Sequence, residues 1–303
     1  MLVTKFKIWF KAVRPFSFTG SIIPVTLGAI FAIKESKFQL GYFILSLIAI
    51  VLLQASANLL SDHDDFKNRV DTKDSYGSSG VILKNLLTSK KVYTGGFTLL
   101  ALGAFIGIFL SYKRGLLVLL IGLIGTLAVY SYTGKPLSLK YRGLGAPLVF
   151  LTFGPLMLIG SYYVQAQNIS MEAFFISIPV GLLTTAILHA NDIRDIRYDK
   201  KAGIKTLSII VGKSSAQNIY YSFVILSYVS IIIMCFYKIL PIWSLFCLIT
   251  IPTAYKNIRK LYSVSDSPSG IVSLDKDTAQ LQGQFGIILI LSLLIPFIVN
   301  LRG

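Results

Sequence analysis

Eight of the chain's 13 acidic residues fall in or just beyond two short stretches. One runs N-L-L-S-D-H-D-D-F-K-N-R-V-D from Asn58 to Asp71, with Asp74 just beyond; the other runs N-D-I-R-D-I-R-Y-D-K from Asn191 to Lys200. Asp62 and Asp65 are spaced i, i+3, and Asn58 lies four residues before Asp62. Asp192, Asp195 and Asp199 are spaced i, i+3, i+7. On a helix each set would share one face. The two D-x-x-D pairs are offset by the same 130 residues, 62 to 192 and 65 to 195, which suggests an internal duplication. Two facing carboxylate clusters repel unless a cation sits between them. All-oxygen ligation suits Mg²⁺, which takes a few carboxylates together with substrate phosphates. The interleaved Lys67, Arg69, Arg194 and Arg197 suit diphosphate oxygens. The plain alternative, two solvated loops of mixed charge, does not explain the matched spacing. His63 and His189 are the only histidines; His189, at the end of an apolar run, is expected to be packed rather than to act as a ligand.

The elements that must position these acids are membrane helices. Of 303 residues, 54% are apolar and 14% charged, and mean hydropathy is +0.71. An ordinary soluble domain is about 25% charged, so a soluble globule and a disordered chain are both excluded. Nine apolar segments approach the 20 or so residues a bilayer requires: 17–33, 40–60, 92–112, 115–132, 144–165, 171–190, 217–237, 239–255 and 283–301. They are too long and too uniformly apolar for barrel strands, so the fold class is all-α, a nine-helix membrane bundle in a single domain. Of 29 basic residues, 23 lie in the N-terminal arm and the loops after the second, fourth, sixth and eighth spans. The positive-inside rule places those segments in the cytoplasm, consistent with the plasma membrane of a prokaryote. The net charge of +16 is therefore mainly topology and not a nucleic-acid footprint. Residues 5–14 read as an interfacial helix before an uncleaved first span, with Phe6, Trp9 and Phe10 in lipid and Lys7 and Lys11 towards headgroups. Cys235 and Cys247 lie in apolar runs and offer no disulfide framework.

Four stretches carry a resemblance to a known family: NLLSDHDDFKNRVDT (58–72), SGVIL (79–83), YTGKPLSLKYRGLGAPLVFLTFGPLMLIGSYYVQ (132–165) and NDIRDIRYDKKAGIKTLSIIVG (191–212). Together they resemble the UbiA-type superfamily of intramembrane prenyltransferases, and within it the 1,4-dihydroxy-2-naphthoate polyprenyltransferases of menaquinone biosynthesis. The chain departs from that branch's pattern at Ser61 (usually Asn), Asp64 (often aromatic), Arg69 (glycine) and Ala146 (often acidic). The resemblance implies Mg²⁺-dependent transfer of a prenyl group from an allylic polyprenyl diphosphate to an aromatic acceptor. For dihydroxynaphthoate the transfer is accompanied by loss of CO₂, forming demethylmenaquinone. It further implies that Asn58, Asp62, Asp65, Asp192, Asp195 and Asp199 hold Mg²⁺ and diphosphate. Lys67, Arg194 and Lys200 are candidates for direct diphosphate contact. Tyr130 and Tyr132 could offer π-faces to an allylic cation or equally be interfacial aromatics. Arg142 or Lys135 could hold the acceptor carboxylate. Gly103 and Gly107 form a G-x-x-x-G expected to serve helix packing rather than a tail tunnel. Other acceptors, among them quinone head groups, homogentisate and glyceryl lipids, remain open. An ion-coupled transporter is the competing class, but transport sites lie near the midplane and these acids lie at helix ends.

Overall fold

A computed structural model describes residues 2–72, 75–263 and 268–300; Lys73, Asp74 and Arg302, all counted above, lie outside the described residues. Among the described residues every regular element is helical. Helix α1 (Leu2–Ala12) precedes a short 3-10 turn (Pro15–Phe18) and α2 (Thr19–Lys34). There follow α3 (Leu40–Lys67), α4 (Ser89–Arg114), α5 (Leu116–Thr133), α6 (Gly145–Leu151), α7 (Met157–Ala166) and α8 (Met171–Lys201). The last group is α9 (Leu207–Val211), α10 (Lys213–Phe236), α11 (Ile251–Tyr262) and α12 (Leu274–Asn300).

Among the described residues, eight segments are long and apolar enough to cross a membrane: α2 with its preceding turn, α3, α4, α5, the α6–α7 pair, α8, α10 and α12. The ninth expected segment, 239–255, differs in form. It is a 3-10 stretch, Ile242–Thr250, running directly into α11. Pro252 near the start of α11 cannot donate to the carbonyl four residues back, so the tighter winding ends where the proline begins the α-helix. At 3-10 and α-helical rises the combined stretch measures about 36 Å, enough for a pass.

Two spans run further than their apolar stretches. α3 continues to Lys67 and α8 to Lys201, so the acidic stretches are helix ends rather than loops. Each acid set therefore does share a helix face. Between α6 and α7, Thr152–Leu156 forms a π-helical turn containing Pro155; the missing proline N–H accounts for the local widening. Gly154 in that turn lets α8 approach, since a Cβ there would lie 3.0 Å from the Ser177 carbonyl oxygen and 3.1 Å from Gly181 Cα.

The main core joins α2, α8, α10 and α12 through Leu27, Ile176, Leu183, Tyr220, Ile231 and Phe285. Helices α4 and α5 instead expose Leu102, Phe105, Ile108, Leu123 and Leu127, the residues expected to face lipid. In α1, Phe6 and Phe10 are exposed and stack on each other, as expected for an interfacial helix. Trp9 is not in lipid with them. It turns inward against Leu59 and Val92, and Gly95 leaves room for its ring.

Candidate active site

The two acidic helix ends meet at one cavity of about 270 Å³. Asn58, Ser61 and Asp65 reach it from α3, and Asn191, Asp195 and Asp199 from α8. Asp71, Ser75 and Gly77 reach it from the segment after α3, and Asp275 from α12. That segment lies against the second acidic set. A Cβ at Gly77 would fall 2.6 Å from Asp195 Oδ2, and Tyr76 meets the Tyr198 ring edge-on.

Each carboxylate has a defined setting. Asp62 pairs with Arg14 and accepts from the Ser79 hydroxyl and, at 3.3 Å, from the Ser79 backbone N–H. Asp65 accepts from Lys140 Nζ at 2.7 Å, Tyr141 Oη at 2.8 Å and Ser61 Oγ at 3.0 Å. Arg194 is buried between Asp195 and Asp275, 2.7 and 2.8 Å away. Asp64 accepts from Thr133 Oγ1 at 2.8 Å, tying the end of α3 to the end of α5. Asn58 donates to the Val13 carbonyl and to Ser17, fixing the approach to Arg14.

Carboxyl groups outnumber cations at the site. Asp62, Asp65, Asp71, Asp192, Asp195, Asp199 and Asp275 are all buried here, against three cations, Arg14, Lys140 and Arg194. Buried charge without a partner is costly, and two carboxylate oxygens, Asp71 Oδ2 and Asp192 Oδ1, are buried with no hydrogen-bond partner. Burial, reinforced by the Asp65 charge, pushes the Asp71 carboxyl up to about 8. Burial alone would lower the Lys140 amine, but Asp65 and its neighbours outweigh it and hold Lys140 well above its ordinary value, hence charged. Burial and Asp65 likewise raise Tyr141, which stays a hydrogen-bond donor.

The donor set is all oxygen, with more carboxyl groups than cations, which fits a hard divalent cation such as Mg²⁺. Among the described residues, no three of His, Cys, Asp or Glu converge on a single ion position. The fit is therefore to cations held by one or two carboxylates each, with phosphate and water oxygens completing the shell, the mode Mg²⁺ prefers.

Several residues singled out from the sequence do not reach the cavity. Lys67, Lys200 and Lys135 are exposed. Arg142 is exposed and donates to the Pro136 carbonyl. Tyr130 is 40% exposed, donates to the Lys135 carbonyl and packs edge-on against Phe97, an interfacial setting. Tyr132, two residues on, does line the cavity. Asp62, Asp192 and Arg194 are buried behind the lining. His189 is fully buried and bonds the Ala216 carbonyl through Nε2, as a packed residue should. The cations that do line the cavity, half-buried Arg14 and buried Lys140, and the acids Asp71 and Asp275, were not among the residues expected. Asp71 belongs to the first acidic stretch and could have been included from its position there. Arg14 and Lys140 give no local signal, because each meets its carboxylate across dozens of residues.

Away from the acids the cavity becomes apolar, lined by Ile50, Leu53, Ile121, Leu148, Leu156 and Met157. A charged end and an apolar end in one membrane cavity suit an amphiphile with a polyanionic head.

Comparison with known proteins agrees. The model of the UbiA prenyltransferase family matches residues 21–270. A Bacillus subtilis relative, 1,4-dihydroxy-2-naphthoate octaprenyltransferase, is 28% identical over 96% of this chain and 93% of its own. UbiA prenyltransferase domain-containing protein 1 of Xenopus tropicalis is 31% identical over 83% of this chain and 73% of its own. A UbiA homolog from Archaeoglobus fulgidus, solved with GPP and Mg²⁺, superposes with a TM-score of 0.63 at 15% identity, covering 93% of this chain and 99% of that one. The apo UbiA homolog from Aeropyrum pernix K1 superposes at 0.65 with 14% identity, covering 91% and 98%. The chain belongs to the UbiA prenyltransferase family and is a membrane-embedded prenyltransferase.

Proposed function

We propose that this prenyltransferase moves a polyprenyl group from its allylic diphosphate to 1,4-dihydroxy-2-naphthoate. The observation that carries the donor half is the cavity with five buried carboxylates lining one end, two more buried behind them, and an apolar lining at the other end. The acceptor half is supported by the name of the Bacillus subtilis relative, which matches nearly the whole chain. Quinone head groups of other kinds, homogentisate and glyceryl lipids are the competing acceptors.

In this reading Asn58, Asp65, Asp71, Asp195 and Asp199, which line the cavity, would hold Mg²⁺ and diphosphate, with Asp62 and Asp192 adding carboxyl groups just behind them. Mg²⁺ supplies charge neutralisation of the leaving diphosphate. Arg14 and Lys140, rather than the outward-facing Lys67 and Lys200, neutralise its remaining oxygens. The C–O bond breaks and the diphosphate leaves with the electron pair. The allylic carbocation forms beside Tyr132, which lines the cavity and whose ring can face it. The ring carbon bearing the carboxylate attacks. The new C–C bond forms, the ring-to-carboxylate bond breaks, and its electrons restore aromaticity as CO₂ departs. The product is the quinol form of demethylmenaquinone.

The charge asymmetry of the loops supports a cytoplasmic N-terminus and cytoplasmic acidic helix ends, in the plasma membrane of a prokaryote. The matched acid sets on α3 and α8 support an origin by duplication within one domain. The test is incubation of the purified protein in lipid with labelled geranylgeranyl diphosphate and dihydroxynaphthoate, with and without Mg²⁺, and identification of the product by mass. Prenylated, decarboxylated naphthoquinol that disappears on chelation and in Asp195→Asn is expected. Turnover without Mg²⁺, or with another acceptor only, overturns the reading.

A further inference from the structure

Helix α1 carries three faces. Ile8, Trp9 and Ala12 turn to the protein, where they pack with Leu59, Val81 and Val92. Phe6 and Phe10, one turn apart, are exposed and stacked with ring centroids 5.9 Å apart. Lys7 and Lys11, also one turn apart, are exposed, and α1 holds no acid to pair with them. At 11 residues α1 is shorter than the ~12–15 that an isolated helix needs in water. From Lys5 onward only Ala12 of this helix is fully buried. Contacts with the protein alone therefore hold α1 weakly.

Two partners of Asp62 depend on that hold. Arg14, its ion-pair partner, hangs from the last turn of α1: its backbone N–H donates to the Lys11 carbonyl at 3.3 Å. The Val13 carbonyl just before it accepts from Asn58 Nδ2 at 2.7 Å. Ser79 donates to Asp62 from its hydroxyl and its backbone N–H. It directly precedes the turn whose Val81, Ile82 and Leu87 pack in the same cluster as Ile8 and Trp9. Lifting α1 would withdraw Arg14 through the chain and loosen Ser79 through the packing.

We propose that α1 is seated by anionic lipid headgroups of the leaflet on the acidic side of the bundle, and that this seating holds Arg14 in the active-site cavity. The enzyme then works fully only in an anionic membrane. The proposal rests on the donor assignment above, because Arg14 acts there on the diphosphate. A lipid surface is the occupant for two reasons. The first span begins at Pro15, so α1 lies beside the bilayer edge. Its exposed rings and exposed lysines lie on neighbouring faces, one suited to hydrocarbon and the next to phosphate. Each lysine at an anionic surface is worth about fivefold in the seating equilibrium, and the pair about twenty-five-fold.

The experiment measures kcat/KM for geranylgeranyl diphosphate at saturating Mg²⁺ and acceptor, in nanodiscs of phosphatidylcholine with and without phosphatidylglycerol. The wild type should gain between about fivefold and twenty-five-fold on the anionic discs, and added salt should shrink the gain by screening. Lys7→Gln/Lys11→Gln should match the wild type on phosphatidylcholine, which reports that it is folded, and gain less than about twofold on phosphatidylglycerol. Lys90→Gln/Lys91→Gln removes two exposed cations at the start of α4 instead and should gain as the wild type does. It separates the seating of α1 from a general effect of surface charge on an anionic donor. If the α1 double variant folds poorly, Lys7→Gln and Lys11→Gln singly supply the comparison, each with an intermediate gain. Equal wild-type kcat/KM on the two discs overturns the seating while leaving the donor assignment intact. So does an undiminished gain without the α1 lysines, or its loss in the α4 variant. Absence of transfer from any prenyl diphosphate by the wild type in either lipid overturns the donor assignment itself.

Discussion

Replacing Lys140 by methionine tests the charge balance of the site most directly. Lys140 Nζ lies 2.7 Å from Asp65 Oδ2, with side chains 10% and 5% exposed. Methionine keeps the length and apolar character of the stem and removes the charge. At an effective dielectric near 20, a unit pair about 4 Å apart is worth about 4 kcal/mol, and breaking buried pairs costs about 3–5 kcal/mol. If most of that is expressed against the diphosphate as its charge develops, kcat/KM should fall by about two to three powers of ten. The Mg²⁺ dependence carries the sign. Loss of Lys140 raises the negative excess around Asp65, so the half-saturating Mg²⁺ concentration should fall or stay level while donor affinity drops. Steady-state kinetics over a grid of Mg²⁺ and geranylgeranyl diphosphate concentrations in lipid nanodiscs separates the two. Unchanged kcat/KM would refute the role given to Lys140. A rise in the Mg²⁺ requirement alongside the loss of donor affinity would refute the electrostatic reasoning.

Three further outcomes follow from packing and local electrostatics. Gly28→Ala should destabilise by about 1–3 kcal/mol, since its Cβ would lie 2.7 Å from the Leu158 carbonyl oxygen and 2.8 Å from the Tyr162 amide nitrogen; thermal unfolding against Gly41→Ala, which has open space, reads it. Arg69 sits at φ 59°, a left-handed conformation that β-branched residues resist strongly. Arg69→Val should therefore cost about 1–2 kcal/mol, and Arg69→Gly should not, as chemical unfolding will show. Glu35 accepts from Lys37 and from Tyr162, and these hydrogen bonds, Lys37 first, hold its carboxyl below the ordinary range. The stability it adds is present above the unfolded value and lost as pH falls through the folded one. Melting temperature between pH 7 and 3 should thus fall less steeply in Glu35→Gln than in the wild type.

The left-handed backbone at Arg69 explains one oddity visible in the sequence. The family pattern has glycine at this position, and the turn after α3 indeed requires the region where glycine is free of strain. Ser61 and Asp64, two other departures, each have a structural use. Ser61 donates to Asp65 one helical turn away, while Asp64 accepts from Thr133 on another helix. Ala146 is buried at the start of α6.

Composition and periodicity determined that this chain spans a membrane as helices, because hydrocarbon excludes unpaired backbone and rewards apolar length. Spacing determined that Asn58, Asp62 and Asp65, and likewise Asp192, Asp195 and Asp199, share helix faces, because the α-helical repeat is a local property. Tertiary structure alone decided which cations serve those acids. Arg14 reaches Asp62 across 48 residues and Lys140 reaches Asp65 across 75, whereas the nearer Lys67 and Lys200 point outward. It also decided that Gly107 has open space where a Cβ would stand while Gly103 closes a helix contact. Charge pairing and cavity shape depend on which helices become neighbours, and no spacing within one helix encodes that.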